Sequence, residues 1–117
     1  MVVQVVWNDQ HVPYYDPKIV DMFAEFLQGV RPDEIHYLGD WLDCWSISTK
    51  YRRVAKDERV NRVKFEREVG CELLFRFRDL CPKATHVFHE GNHENRLTRY
   101  VAEECPALYG IEELTTP

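Results

Sequence analysis

Residues 84–94 read Ala-Thr-His-Val-Phe-His-Glu-Gly-Asn-His-Glu. The run from Ala84 to His89 is rich in β-branched and aromatic residues and stops abruptly at a Gly-Asn pair, the pattern of a short strand running into a polar turn. Before this strand, about Asp57 to Leu80 predicts a long amphipathic helix, with Val69, Leu73, Phe77 and Leu80 on one face and Pro82 closing it. On the other side a last helix is expected from about Glu94 to Glu104, ended by Pro106. Towards the N-terminus, Val2–Trp7 predicts a buried strand ending at Asn8-Asp9, and His11–Pro17, with two prolines, a loop. Asp16 suits an N-cap and Pro17 a first helical position. The helix they open is expected to carry Ile19, Val20, Phe23, Phe26 and Leu27 on one face and to stop at Gly29. Glu34–Leu38 predicts a second strand ending at Gly39-Asp40, and Trp41 to about Ala55 a long loop. The order βαβαβα predicts an α/β fold with a mostly parallel sheet and helices packed on its faces.

Composition narrows the functional classes. The chain has 117 residues, 44% hydrophobic, 13% aromatic and 30% charged, with a formal net charge of −5. That suits one domain spanning 1–117 with a single core. No apolar run approaches the ~20 residues that span a bilayer. The N-terminus lacks the charged start, apolar stretch and cleavage site of a signal peptide, so a cytoplasmic location is expected. Cys44, Cys71, Cys81 and Cys105 form no CxxC pair, so reduced, mostly buried thiols are expected.

Each strand runs into a polar cluster: Asp9-Gln10-His11, Gly39-Asp40-Trp41-Leu42-Asp43 and Gly91-Asn92-His93-Glu94. In parallel α/β sheets the C-terminal strand ends lie along one edge, where ligands bind. Asp9, His11, Asp40, Asn92 and His93 are therefore expected to meet. Carboxylate, imidazole and amide oxygen suit manganese, iron or zinc. One carboxylate can bridge two cations, about 3.5–4 Å apart, that activate a water and hold the oxygens of an in-line phosphoryl displacement. Gly39 and Gly91 each precede a proposed ligand, where a sharp turn and close backbone approach favour a missing side chain.

Asp-Gln-His, Gly-Asp-Trp-Leu-Asp and Gly-Asn-His-Glu, in this order at strand ends, resemble the first three motifs of the calcineurin-like metallophosphoesterase family. Asp9–Pro17 (DQHVPYYDP) resembles bacterial and phage-encoded members of that family. The resemblance covers roughly residues 2–105 and implies half of an αββα sandwich. It implies that Asp9 and His11 hold one metal, that Asp40 bridges two and that Asn92 binds the second. His93 is then the general acid or electrostatic partner of the leaving oxygen, and Asp43 hydrogen-bonds His93 and fixes its tautomer. The cofactors implied are two divalent ions, manganese first, with iron, zinc or nickel as alternatives. The activity implied is hydrolysis of phosphomonoesters or phosphodiesters.

The family pattern continues beyond the third motif with a further histidine and a Gly-His-x-His segment, whereas no histidine follows His93 here. The chain is thus expected to be the N-terminal portion of a longer enzyme. The alternative is a catalytically incompetent metal- or phosphate-binding fragment acting through a partner. Such a half would expose an apolar sheet face, so a homo-oligomer is expected. His36, His86 and His89 fall inside strands and are expected to be packed or hydrogen-bonded there.

Two further features have competing readings. His89-Glu90-Gly91-Asn92-His93 fits H-E-x-x-H, but a zinc protease needs both histidines on one helix, where Gly91-Asn92 is a poor pair. Between residues 50 and 67, Lys50, Arg52, Arg53, Lys56, Arg59, Arg62, Lys64 and Arg67 outnumber Asp57, Glu58 and Glu66. This stretch either steers a phosphorylated substrate, a nucleotide or a nucleic-acid backbone, or is the solvated face of a helix. Trp41, Trp45 and Tyr51, like Tyr14 and Tyr15, either stack on a base or wedge their loops onto the sheet.

Overall fold

A computed structural model of the chain describes residues 1–51 and 53–114. Arg52 of the basic stretch and the side chain of Tyr51 lie outside the described residues. Three strands, β1 (Gln4–Trp7), β2 (Glu34–Tyr37) and β3 (Thr85–Phe88), form a parallel sheet in the order β1-β2-β3. Val5 pairs with Ile35 and Ile35 with His86, which brings all three C-terminal strand ends to one edge.

Between the strands lie α1 (Pro17–Val30), the single turn α2 (Lys56–Arg59) and α3 (Arg62–Leu80); α4 (Asn92–Glu104) follows β3. Asp16 caps α1, its side chain accepting from Lys18 N at 2.9 Å. The helix passes Gly29 and ends where Arg31 turns left-handed, φ 50°, and donates its N–H to Leu27 O. Pro32 explains that stop, since the residue before a proline is pushed out of the helical region. The helix expected over Asp57–Leu80 is two pieces, because Val60 is extended and Asn61 sits at φ 59°. Asparagine enters the left-handed region more readily than most residues, and one such residue interrupts a helix.

The core fills the face of the sheet carrying Val5, Ile35 and Tyr37. Phe77 of α3 is its centre, edge-on to Phe23 at 5.2 Å and to Trp41 at 6.3 Å, and stacked on Tyr37. Trp41 is buried and donates its indole N–H to Gly70 O at 3.1 Å. Its role is therefore packing, pinning the loop after β2 to α3. Cys44 and Cys81 are buried, Cys71 and Cys105 partly so, and all four are free thiols.

The opposite sheet face departs from the expected helix cover. Val6 and Leu38 are about half exposed there, beside a polar chain in which Gln4 donates to Glu34, Glu34 meets His36, and His36 meets His89. Hydrogen bonding to His36 lowers the Glu34 pKa. His86, on the covered face, reaches the Tyr37 hydroxyl and Cys81 O. Ile19 and Phe26 also leave the expected buried face of α1, being 48% and 50% exposed, while Val20, Phe23, Ala24 and Leu27 pack inward. The narrow sheet cannot cover so wide an apolar stripe.

Truncating Phe77 to alanine removes the contact shared by α1, α3 and the loop after β2. It should cost about 3–5 kcal/mol, read as a lowered urea midpoint; a loss under about 1 kcal/mol would contradict this placement of the core.

Candidate metal centre

The three polar clusters meet at the sheet edge because the strand pairing carries on past the strands. Asp9 N donates to Gly39 O, His11 N to Asp40 O and Val12 N to Trp41 O. Asp43 N returns a bond to Val12 O, and Val12 and Leu42 form a parallel bridge. Asp9, His11 and Asp40 all have left-handed backbones, with φ between 47° and 54°. Such conformations cost energy in non-glycine residues and gather at functional sites, where surrounding bonds impose them.

The third cluster is joined to the second by Glu94, a residue sequence reading passed over. Its side chain is fully buried. One oxygen accepts from Asp40 N and Gly91 N, each at 2.9 Å, and the other from Leu42 N at 2.7 Å. The available signal was its place three residues after the helix-capping Gly91, where glutamate commonly folds back onto the cap. Gly91 has no side chain to cap α4, and Asp40 does so from the neighbouring loop, Oδ1 accepting from His93 N at 3.0 Å. A Cβ at Gly91 would fall 2.4 Å from that oxygen, and one at Gly39 2.6 Å from Gly91. Both glycines therefore permit the close approach.

His11 Nδ1 lies 3.3 Å from Asp43 Oδ1. An ionised carboxylate only accepts, so Nδ1 carries the proton and the Nε2 lone pair is left beside Asp9 Oδ1, 3.7 Å away. His93 Nδ1 donates to the carbonyl of Asp43 at 2.8 Å, while the Asp43 carboxylate stands 3.7 Å off. Asp43 thus sets the His93 tautomer through its main chain, and its carboxylate serves His11. The two imidazoles meet edge to face at 4.6 Å.

Ligand atoms of His11, Asp40 and His93 lie within 4.8 Å of one another, a grouping able to hold a cation. The Asn92 amide lies 3.1 and 3.2 Å from the two Asp40 oxygens. Turned with its nitrogen inward it donates to both; turned with its oxygen inward it gathers three acceptors that a shared cation would reconcile. That donor set fits a divalent metal. Asp9 is 59% exposed, at the rim. All the expected site residues are therefore neighbours, with His93 inside the cluster. His89 turns away to His36, and α4 begins only at Asn92, so the helical protease geometry does not form.

Trp45 donates its indole N–H to the Tyr14 hydroxyl at 2.8 Å, tying the loop after β2 to the first cluster. Behind that loop, Glu66 is 1% exposed, with Oε2 accepting from Cys44 N and Oε1 unpartnered. Burial raises its pKa to about 7, against the lowering effect of the Cys44 N–H and with the help of the Asp43 charge. The Cys44 thiol is pushed up by burial and then by the Glu66 charge.

The chain is 31% identical over 106 residues to the "Gene 54 protein" of Mycobacterium phage L5, and 30% identical over 105 residues to the protein of the same name from Mycobacterium phage D29. Each match takes in 89% of this chain but only 40% of the relative, so the chain spans about two fifths of the length of these phage proteins. No family model matches the chain, and no solved structure matches it. Among the described residues no helix is long and apolar enough to cross a membrane.

Because the folded pKa of Glu66 exceeds that of an exposed glutamate, its ionisation carries a stability cost that is absent below pH ~4.5, accumulates as pH rises to about 7 and then levels off. Glu66→Gln, which keeps the Cys44 bond, should gain stability relative to the parent chain between pH 5 and pH 8, read from paired urea melts. An unchanged difference across that range would contradict a buried, proton-linked carboxylate.

Proposed function

We propose that the chain is the N-terminal portion of a calcineurin-like metallophosphoesterase, half of an αββα sandwich, that hydrolyses phosphomonoesters or phosphodiesters. The observation that carries this reading is the convergence of His11, Asp40 and His93 within one ligand sphere, with Asp9, Asp43 and Asn92 around it. Asp9 and His11 would hold one cation, Asp40 would be shared and Asn92 would hold a second. Manganese is the first choice and iron, zinc or nickel the alternatives. When bound, the ions would supply an activated water and offset charge on the phosphoryl oxygens.

The side chains of this chain do the rest. Asp43 and His11 hold each other's orientation, which leaves His11 Nε2 as the ligand atom. With Nδ1 committed to the Asp43 carbonyl, His93 has Nε2 left to exchange a proton with the leaving oxygen. Arg53, Lys56, Arg62 and Lys64 are exposed on the stretch that follows the loop after β2, and α3 is tied to that loop through Glu66 and Cys44. Their charge favours a nucleotide or nucleic-acid substrate. The open sheet face, with Val6 and Leu38 half exposed, favours association with a second copy or with further chain, and the setting would be cytoplasmic.

A second reading has its own support: among the described residues Asp40 and Asn92 alone are available to a second cation, so that the chain binds metal and leaves turnover to residues supplied elsewhere. Manganese titration by calorimetry, alongside hydrolysis of p-nitrophenyl phosphate and its bis-ester, separates the two. The enzyme reading expects manganese-dependent turnover, abolished in Asp40→Ala and reduced at least about a hundredfold in His93→Ala. Binding without turnover selects the fragment, and the absence of manganese binding would remove both.

A further inference from the structure

Arg96, on the second turn of α4, takes part in none of the roles above. Its Nη1 donates to the Asp43 carbonyl at 3.0 Å, sharing that oxygen with His93 Nδ1. Its Nη2 lies 3.1 Å from His93 Nε2, and Nη1 is 3.3 Å from Nδ1. Because Nδ1 carries the proton that goes to Asp43, Nε2 is an acceptor, and Arg96 Nη2 donates to it. The side chain is partly buried, and among the described residues no carboxylate pairs with it within 4.0 Å.

A guanidinium has five N–H donors in a fixed fork matched to carboxylate and phosphate oxygens. Here one donor is spent on a carbonyl and one on an imidazole. The guanidinium therefore keeps donors in reserve beside a carboxylate-rich cluster, with no direct carboxylate partner among the described residues. Arginine is usually paired when its only task is structural, and a metal-ligating site gains nothing from a cation beside it. An anion makes sense of both facts. Any oxyanion that approaches His93 Nε2 also comes within reach of Arg96 Nη2.

We propose that Arg96 is a substrate-binding residue that receives an oxygen of the phosphoryl group, passing from His93 Nε2 to that oxygen when substrate enters. The inference rests on the phosphoesterase reading and adds the residue that would recognise the phosphoryl anion itself.

The test uses the 117-residue chain, Arg96→Ala and Arg96→Lys, with folding checked by circular dichroism. Calorimetry measures manganese affinity first, then the affinity of the manganese-loaded proteins for inorganic phosphate. The expected result is unchanged manganese affinity, phosphate binding at least about tenfold weaker in Arg96→Ala, and partial recovery in Arg96→Lys. With turnover present, KM for p-nitrophenyl phosphate should rise alongside. Parental phosphate affinity in Arg96→Ala would overturn the role of Arg96 while leaving the metal site standing. Failure of the parent chain to bind manganese would instead overturn the site reading and this inference with it. Loss of manganese affinity in both variants would show a structural residue and reject the proposal.

Discussion

The carboxylate of Glu94 is the constraint on which the site depends. It lies in the protein interior, where an unpaired carboxylate is costly, and it is held by three backbone N–H groups from two separate loops. Those groups belong to the ends of β2 and β3, which are far apart in sequence. The bonds fix the Gly39–Leu42 turn against the start of α4 and put the Asp40 carboxylate at the helix N-terminus, where partial positive charge favours it. Asp40 is thereby oriented before any ligand is present.

The cluster is built from backbone geometry as much as from side chains. Left-handed conformations at Asp9, His11 and Asp40 turn three successive ligand candidates off the ends of regular strands, and the bonds between the first two loops hold them there. A sheet only four residues deep on each strand would not position such turns alone. Trp41 and Phe77 supply the packing beneath them, and the indole bond to Gly70 locks the loop to α3. Phe77, Trp41 and the adjoining Asp40 thus form one continuous run from the core to the site turn.

Much of this was legible in the chain itself. Short β-branched runs ending in polar clusters mark the strands, and Asp16-Pro17 marks the start of α1, because both signals are local. Gly39 and Gly91 were readable as places of close approach. Other features depend on tertiary context. The break at Asn61 leaves no mark in the apolar spacing of α3, and the exposure of Ile19 and Phe26 reflects the width of the sheet rather than the period of the helix. Asp43 was identifiable as a partner of His93, but its contact is through a carbonyl, which residue identity does not encode. Glu94 and Arg96 lie one and three residues beyond His93, and their roles come from what the folded loops bring to them.

Asp9, His11, Asp40 and Asn92, with His93 beside them, are proposed as one centre for divalent cations. An anomalous difference map from manganese-soaked crystals tests it directly. A peak is expected at the C-terminal edge of the sheet, enclosed by His11 and Asp40 and absent from Asp40→Ala crystals. A well-ordered cluster with no peak there, or manganese bound only at carboxylates elsewhere on the molecule, would contradict it.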